Sequence, residues 1–173
     1  RTRLLGVMGH PIGHSLSPLI HNAAIQHDGL DMVYLAFDVP PGLLDHAIQG
    51  LRALGMRGAN VTVPHKETVL YLLDAVDPLA TRVGAVNTIV NEQGRLLGYN
   101  TDVSGFQAAL RSVLPEGARG AKCLVVGAGG AARAVVAGLV EEDAASVTIC
   151  NRTPARARSL CEVAAKWGAT SCQ

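Results

Sequence analysis

Aromatic residues are scarce in this 173-residue sequence: two Phe, three Tyr and one Trp. An excess of either charge is missing too, since fifteen Lys and Arg face fourteen Asp and Glu for a formal charge of +1. No long-range field would then draw the chain to nucleic acid or to an anionic membrane. Long apolar runs are absent as well. The longest, Leu124 to Ala132, meets Arg133 and is far short of the roughly 18 residues of a membrane span. The N-terminus shows no charged segment leading into an apolar stretch with a small-residue cleavage site, which argues against secretion. Cys123, Cys150, Cys161 and Cys172 lack CxxC spacing, and two of them fall in apolar, strand-like runs. They read as small, inert core residues in a reducing compartment, the cytoplasm. His10 and His14 are four apart, but Pro11 and Gly13 keep them off one helix face, and no HExxH or Cys/His cluster exists. No metal site is indicated.

What the chain does have is Ala, Val, Leu and Gly, in a composition that is 49% hydrophobic. Such a mixture suits α/β layers with parallel strands buried on both faces. Leu4 to Met8 reads as a buried strand stopped by Gly9, His10 and Pro11. Ser17 with Pro18 reads as an N-cap and first-turn proline opening a helix to about His27. Met32 to Val39 reads as a strand ended by Pro40 and Pro41, and Leu43, Leu44, Ala47, Ile48 and Leu51 recur at helical spacing before Gly55. Met56 to Val63 reads as a third strand, and Pro64 as the first residue of a helix reaching about Leu73. Ile89 to Asn91 and Arg95 to Tyr99 form a hairpin pattern, after which Asp102 is expected to cap a helix to about Leu114. After a Gly-rich connection come a strand at Cys123 to Val126, a helix from Gly129 to Glu142, a strand at Val147 to Cys150, and a helix from Pro154 to near Trp167, with Gly168 as its stop.

Gly127, Ala128, Gly129, Gly130, Ala131 and Ala132 spell GxGxxA between a strand and a helix, with a second strand following at βαβ distance. Gly127 serves the tight turn, Gly129 the close approach of a pyrophosphate, and Ala132 the packing of helix on strand. The free N–H groups and partial positive charge of the helix N-terminus complete an anion site. Dinucleotides that carry a free ribose 2′-OH want a carboxylate after the second strand. Here Asn151, Arg152 and Thr153 stand instead, and Arg152 with Arg156 can pair with a 2′-phosphate. The sequence therefore selects NADP, while Arg158 reads as a solvated helix residue.

Polar residues also collect where strands of the first half should end, the usual place for ligands in open parallel sheets. Ser15 and Ser17 follow the first strand; Asn60 and Thr62 share a face of the third. Ser17 serves equally well as a helix cap or as a ligand contact. Lys66, at the first turn of the helix expected after Pro64, would have its positive charge disfavoured by the dipole, as an acid/base lysine requires. Asp102, at another helix start, could orient Lys66 or share its proton, although a lone Lys and a lone Asp are more often solvated surface groups.

Pro11 to Pro18, His21 and Asn22, Asn60 to Lys66, Gly84 to Thr88, Asn100 to Asp102, the glycine loop and Asn151 to Thr153 together resemble the shikimate dehydrogenase family over essentially the whole chain. The resemblance implies an α/β protein: a substrate-binding and catalytic domain over 1–102, then the beginning of a Rossmann NADP-binding domain over 103–173. It implies reversible reduction of 3-dehydroshikimate to shikimate in aromatic amino-acid biosynthesis. Ser15, Ser17, Thr62, Lys66, Asn87 and Asp102 would contact substrate, Lys66 and Asp102 being the catalytic pair. Gly127, Ala128, Gly129, Gly130, Ala131, Asn151, Arg152, Thr153 and Arg156 would hold the cofactor. Quinate/shikimate dehydrogenases share the substrate motifs, and a fragment that binds nucleotide or shikimate without turnover is the other alternative. Family members continue with further strands and with helices that return to the first domain, so this chain is expected to be incomplete and, alone, weakly active or inactive. The expected partners are a small-molecule substrate, with no nucleic acid and no membrane, in a monomer or homodimer.

Overall fold

The computed structural model describes residues 2–169, 171 and 172. The chain folds as two compact α/β units, Arg1–Thr81 with Ala85–Tyr99, and Arg82–Gly84 with Asn100–Gln173.

The first unit is built on a six-stranded sheet. Its strands are β1 (Arg3–Gly9), β2 (Met32–Asp38), β3 (Gly58–Val61), β4 (Ala75–Val76), β5 (Thr88–Glu92) and β6 (Arg95–Tyr99), in the order β2-β1-β3-β5-β6-β4. β1 lies between two parallel partners, with Gly9 opposite Asp38 and Met8 opposite Val61. Such a strand needs apolar residues on both faces, and Gly6, Val7, Met8 and Gly9 are all buried. β3 and β5 are antiparallel, so the sheet is mixed, and β5 runs into β6 through Gln93 and Gly94, both at positive φ. The amphipathic pattern of α2 (Leu44–Ala53) is realised: Leu44, Ile48 and Leu51 share its buried face. Leu51 and Ile89 are 1% exposed, each burial contributing about 1.5–3 kcal/mol.

Three expectations change here. α1 (Ser17–His27) forms, but Leu16 rather than Ser17 is its N-cap, and the Ser17 N–H donates to Ser15 Oγ at 3.3 Å. α1 has no buried residue, with Leu19 and Ile20 exposed; it is tied to the sheet by Ile25, packed against the Val7, Ile12 and Tyr34 cluster, by the His21 ring stacked on Tyr34, and by Asn22, whose amide spans the N–H and carbonyl of Tyr34 at 2.8 Å each. The helix expected from Pro64 is replaced by turns and a 3-10 segment at Val69–Leu72. Unanticipated elements follow, β4 and α3 (Pro78–Val83), the latter started by Asp77, whose carboxylate accepts the N–H of Leu79 at 2.8 Å.

The second unit contains α4 (Asp102–Val113), β7 (Lys122–Val126), α5 (Gly130–Glu141), β8 (Ser146–Cys150) and α6 (Pro154–Lys166). β7 and β8 are parallel, in register from Lys122 with Ser146 to Val126 with Cys150, as a βαβ connection requires. Val125, Val136, Leu139, Val147 and Leu160 form the core between strands and helices. Cys123 is half-buried and Cys150 exposed, so Cys150 is not the core residue its apolar strand suggested. Among the described residues no helix is long and apolar enough to cross a membrane.

Candidate functional site

The parallel pairing of β1 with β3 sets the loops after both strands side by side. Thr62 N–H donates to the Met8 carbonyl at 2.9 Å and His10 N–H to the Val63 carbonyl at 3.0 Å, so the two loops leave the sheet tied together. Gly9 allows this approach: a Cβ there would stand 2.5 Å from Thr62 Cγ2. Ser15 and Ser17 lie in the first loop and at the start of α1, both half-buried. The Ser15 hydroxyl accepts the Ser17 N–H, which leaves its proton to be donated outward.

Lys66 lies in the turn after Thr62, half-buried, and its carbonyl accepts the Val86 N–H at 2.8 Å. No α-helix begins here, so a helix dipole is not what acts on its ammonium; the turn carries it to the strand end that also holds Thr62 and Asn87. Its neighbour His65 is buried, with Nε2 at 2.7 Å from the Val39 carbonyl. A carbonyl only accepts, so Nε2 carries the proton and His65 is a structural anchor of the turn. Asn87 is buried at the mouth of β5. Its N–H donates to the Tyr99 carbonyl at 3.0 Å and its carbonyl accepts the Val61 N–H at 2.8 Å. Ser15, Ser17, Thr62, Lys66 and Asn87 thus belong to one unit and to one end of its sheet.

Asp102 belongs to the second unit, half-buried in the first turn of α4. It does not cap that helix. Asn100 does so, its Oδ1 accepting the N–H groups of Asp102 at 3.0 Å and Val103 at 3.3 Å. The Asx signal lay two residues ahead of the residue expected to cap. The Asp102 carboxylate is thereby spared the capping role.

At the glycine loop, the Gly127 N–H donates to the Cys150 carbonyl at 2.8 Å and φ is +124°, a conformation that favours glycine. Gly129 is the N-cap of α5; no side chain caps the helix, and its first turn has no acidic residue. A Cβ on Gly129 would meet nothing within 4 Å, so the space over the helix N-terminus is open to a diphosphate. Ala128 is buried beneath the loop, while Gly130 and Ala131 begin the helix. After β8, Asn151 folds back to donate from Nδ2 to the Thr153 carbonyl at 2.9 Å, and Thr153 is the N-cap of α6. Arg152 and Arg156 are exposed, with no carboxylate between positions 151 and 158. These residues fit a dinucleotide with an extra phosphate on its adenosine ribose.

Comparison with known proteins points to one family. Residues 7–89 match the shikimate dehydrogenase substrate binding domain, and residues 109–171 match shikimate / quinate 5-dehydrogenase. The NADP(+) shikimate dehydrogenase of Moorella thermoacetica is 57% identical over 159 residues, 92% of this chain and 54% of that protein. The shikimate dehydrogenase structure from Aquifex aeolicus superposes with TM-score 0.89 at 48% identity, over 94% of this chain and 60% of that one. The Thermus thermophilus shikimate 5-dehydrogenase, solved with NADP(H) and shikimate, gives 0.85 at 40% identity, over 98% of this chain and 62% of that one. This chain spans about half the length of the curated relatives it matches. With both of its units matched in order, the chain belongs to the shikimate dehydrogenase family.

Proposed function

We propose that this chain is the substrate-binding and nucleotide-entry portion of an NADP-dependent oxidoreductase that interconverts 3-dehydroshikimate and shikimate, acting in the cytoplasm as a monomer or homodimer. Residues 1–102 serve as substrate and catalytic domain and 103–173 begin the NADP domain. The observation that carries the reading is the convergence of Ser15, Ser17, Thr62, Lys66 and Asn87 on one sheet end in the first unit. Two serine hydroxyls, a threonine hydroxyl, an ammonium and an amide suit a small polyhydroxylated carboxylate.

Bound NADPH supplies hydride for ketone reduction. Gly127, Ala128, Gly129, Gly130 and Ala131 would hold its diphosphate on backbone N–H groups. Asn151 and Thr153 shape the adenosine loop, and Arg152 and Arg156 meet the 2′-phosphate. Ser15, Ser17, Thr62 and Asn87 fix the substrate ring by its oxygens, so the ketone presents one face. Lys66 holds the proton that the ketone oxygen takes up as it becomes a hydroxyl, and is reprotonated from water; in the oxidative direction the same amine accepts that proton. Asp102 is proposed as the second member of the catalytic pair.

A quinate-oxidising reading follows from the match to shikimate / quinate 5-dehydrogenase. It is separated from the first by comparing turnover of the two substrates. Calorimetry on this chain is expected to show NADP and shikimate binding, and shikimate-dependent absorbance growth at 340 nm reports turnover. Lys66→Ala should lower kcat by about 10²–10⁴-fold with a much smaller change in KM. An undiminished rate in that variant, or equal use of NAD and NADP, would overturn the assignment.

A further inference from the structure

We propose that Cys161 and Cys172 are an oxidative modification site, a dithiol that a small-molecule disulfide such as oxidised glutathione converts to an intrachain disulfide, fastening the 171–172 segment to α6. Nothing in it depends on which substrate the first unit binds.

By sequence the four cysteines are separate, inert thiols; the fold pairs two of them. Cys161 lies near the middle of α6, and Cys172 follows the turn after that helix. There the Val147 N–H donates to the Ser171 carbonyl at 2.9 Å and Cys172 bridges Val147 in parallel, so the segment extends the sheet beside β8. Both cysteines pack against the core of Val147, Ile149, Leu160 and Ala164, and that shared core brings helix and segment together. Their sulfurs end 2.6 Å apart although eleven positions separate them in the chain. A disulfide bond is about 2.05 Å long, so a closing movement of roughly 0.5 Å joins them. Both are free thiols, half-buried, and both line a cavity of 510 Å³ that Cys150 also lines, which gives a small disulfide its approach.

The order of the exchange follows from the two environments. Burial, then the Cys161 thiol, pushes Cys172 up to about 12, so Cys172 stays protonated and the first attack falls to Cys161. The Cys161 thiolate, its proton given to water, attacks one sulfur of the small disulfide RSSR. A Cys161–S–S–R bond forms, the RS–SR bond breaks, and the leaving RS⁻ takes up a proton. Two of the influences that raise Cys172, the hydrogen bond and the charge of Cys161, end with that step. Cys172 then gives up its proton and attacks the Cys161 sulfur beside it, and the second RS⁻ leaves and is protonated. Two protein thiols and RSSR have become one protein disulfide and two RSH, with two electrons passed from the protein to the small disulfide. Excess RSH reverses the exchange, so in a reducing compartment the bond lasts only while the small-disulfide pool is raised.

The test uses the 173-residue chain, reduced and then exposed to glutathione disulfide, with Cys150→Ser, Cys161→Ser and Cys172→Ser beside the wild type. Remaining thiols are capped with N-ethylmaleimide after an acid quench, and peptides are mapped by mass spectrometry. Wild type and Cys150→Ser should yield peptides joined from Cys161 to Cys172. The Cys161 mixed disulfide should stay below about a tenth of the chain, because the second thiol is already in place. Cys172→Ser should stop at that mixed disulfide, and in Cys161→Ser the Cys172 thiol should be lost at least about tenfold more slowly. If either serine variant fails to fold, the wild-type and Cys150→Ser maps decide alone. In the ¹⁵N-labelled, disulfide-bonded chain, exchange of the Val147 amide hydrogen held by Ser171 should slow at least about tenfold, and dithiothreitol should restore it. A Cys161 mixed disulfide that persists in the wild type, a bond from Cys150 to either partner, or Cys172 oxidised as fast without Cys161 overturns the site. Unchanged Val147 exchange in the bonded chain overturns the fastening.

Discussion

Replacing Gly9 by alanine tests whether the approach of β1 to β3 builds the substrate end. The new methyl would stand 2.5 Å from Thr62 Cγ2, 2.9 Å from Ile12 Cδ1 and 3.1 Å from the Val63 carbonyl oxygen. Carbon pairs settle at about 3.5–4.0 Å, so roughly 1 Å of room is missing on the Thr62 side. The backbone has little to give, since the Gly9 carbonyl accepts the Val39 N–H at 2.9 Å while Thr62 and His10 bond across the two strand ends. Thr62 must rotate away or the strand ends must part. Overpacking of this kind costs about 1–3 kcal/mol, which for a chain of this size lowers the thermal midpoint by about 3–10 °C. Scanning calorimetry measures that shift. Shikimate titration measures the displaced Thr62 hydroxyl, with an expected loss of about tenfold in affinity. Gly13→Ala is the control: its methyl would meet nothing within 4 Å, and its stability should stay within about 0.5 kcal/mol of wild type. A Gly9→Ala protein indistinguishable from Gly13→Ala in both measurements would refute the reasoning.

Exchanging Arg152 and Arg156 together for serine should weaken NADP binding about tenfold or more and leave NAD within about threefold, read by calorimetry; equal losses would remove the 2′-phosphate from the assignment. Asp74 is held below its ordinary 3.8, first by the Leu96 N–H at 2.6 Å and then by Arg52. Because its folded value is depressed, its contribution is full above the unfolded value and is lost as pH falls through the folded one. Asp74→Asn should therefore lie below wild type in urea stability at neutral pH and converge with it in acid, and curves parallel throughout would contradict this. Cys150 is exposed, whereas burial, then the Cys161 thiol at 2.6 Å, pushes Cys172 up to about 12. Iodoacetamide at pH 8, followed by peptide mass analysis, should label Cys150 well before Cys172.

The strands and helices that sequence made legible are those whose pattern is local. Leu44, Ile48 and Leu51 recur at helical spacing, and α2 buries that face; the short apolar runs Cys123 to Val126 and Val147 to Cys150 became β7 and β8. The segment after Pro64 misled because proline suits a first helical turn as readily as a turn without a helix. What decides there is tertiary: His65 is drawn to the Val39 carbonyl and the Lys66 carbonyl to the Val86 N–H, contacts across β2 and the β5 approach that no local window contains. α1 shows the same limit from the other side. Its spacing forms the helix, but the pattern could not tell that Leu19 and Ile20 stay exposed while His21, Asn22 and Ile25 tie it to Tyr34 of β2.

The site divides along the same line. Ser15, Thr62, Lys66 and the glycine loop stand beside Pro and Gly in motifs whose residue types already state their chemistry, so they could be named before the fold was known. Asn87 could be named too, but an asparagine offers a donor or an acceptor, and its letter does not say which. Its surroundings are equally absent from the letters: Thr88 Oγ1 lies at 3.0 Å from Asn87 Oδ1, the Asn60 amide reaches Thr88, and the Tyr34 hydroxyl reaches Asn60, across sequence separations of 28 and 26 residues. Thr88 and Tyr34 look like ordinary strand residues, β-branched and aromatic. Their part emerges only when β2, β1, β3 and β5 are laid side by side, because the polarity of a hydrogen-bond chain belongs to the sheet that assembles it.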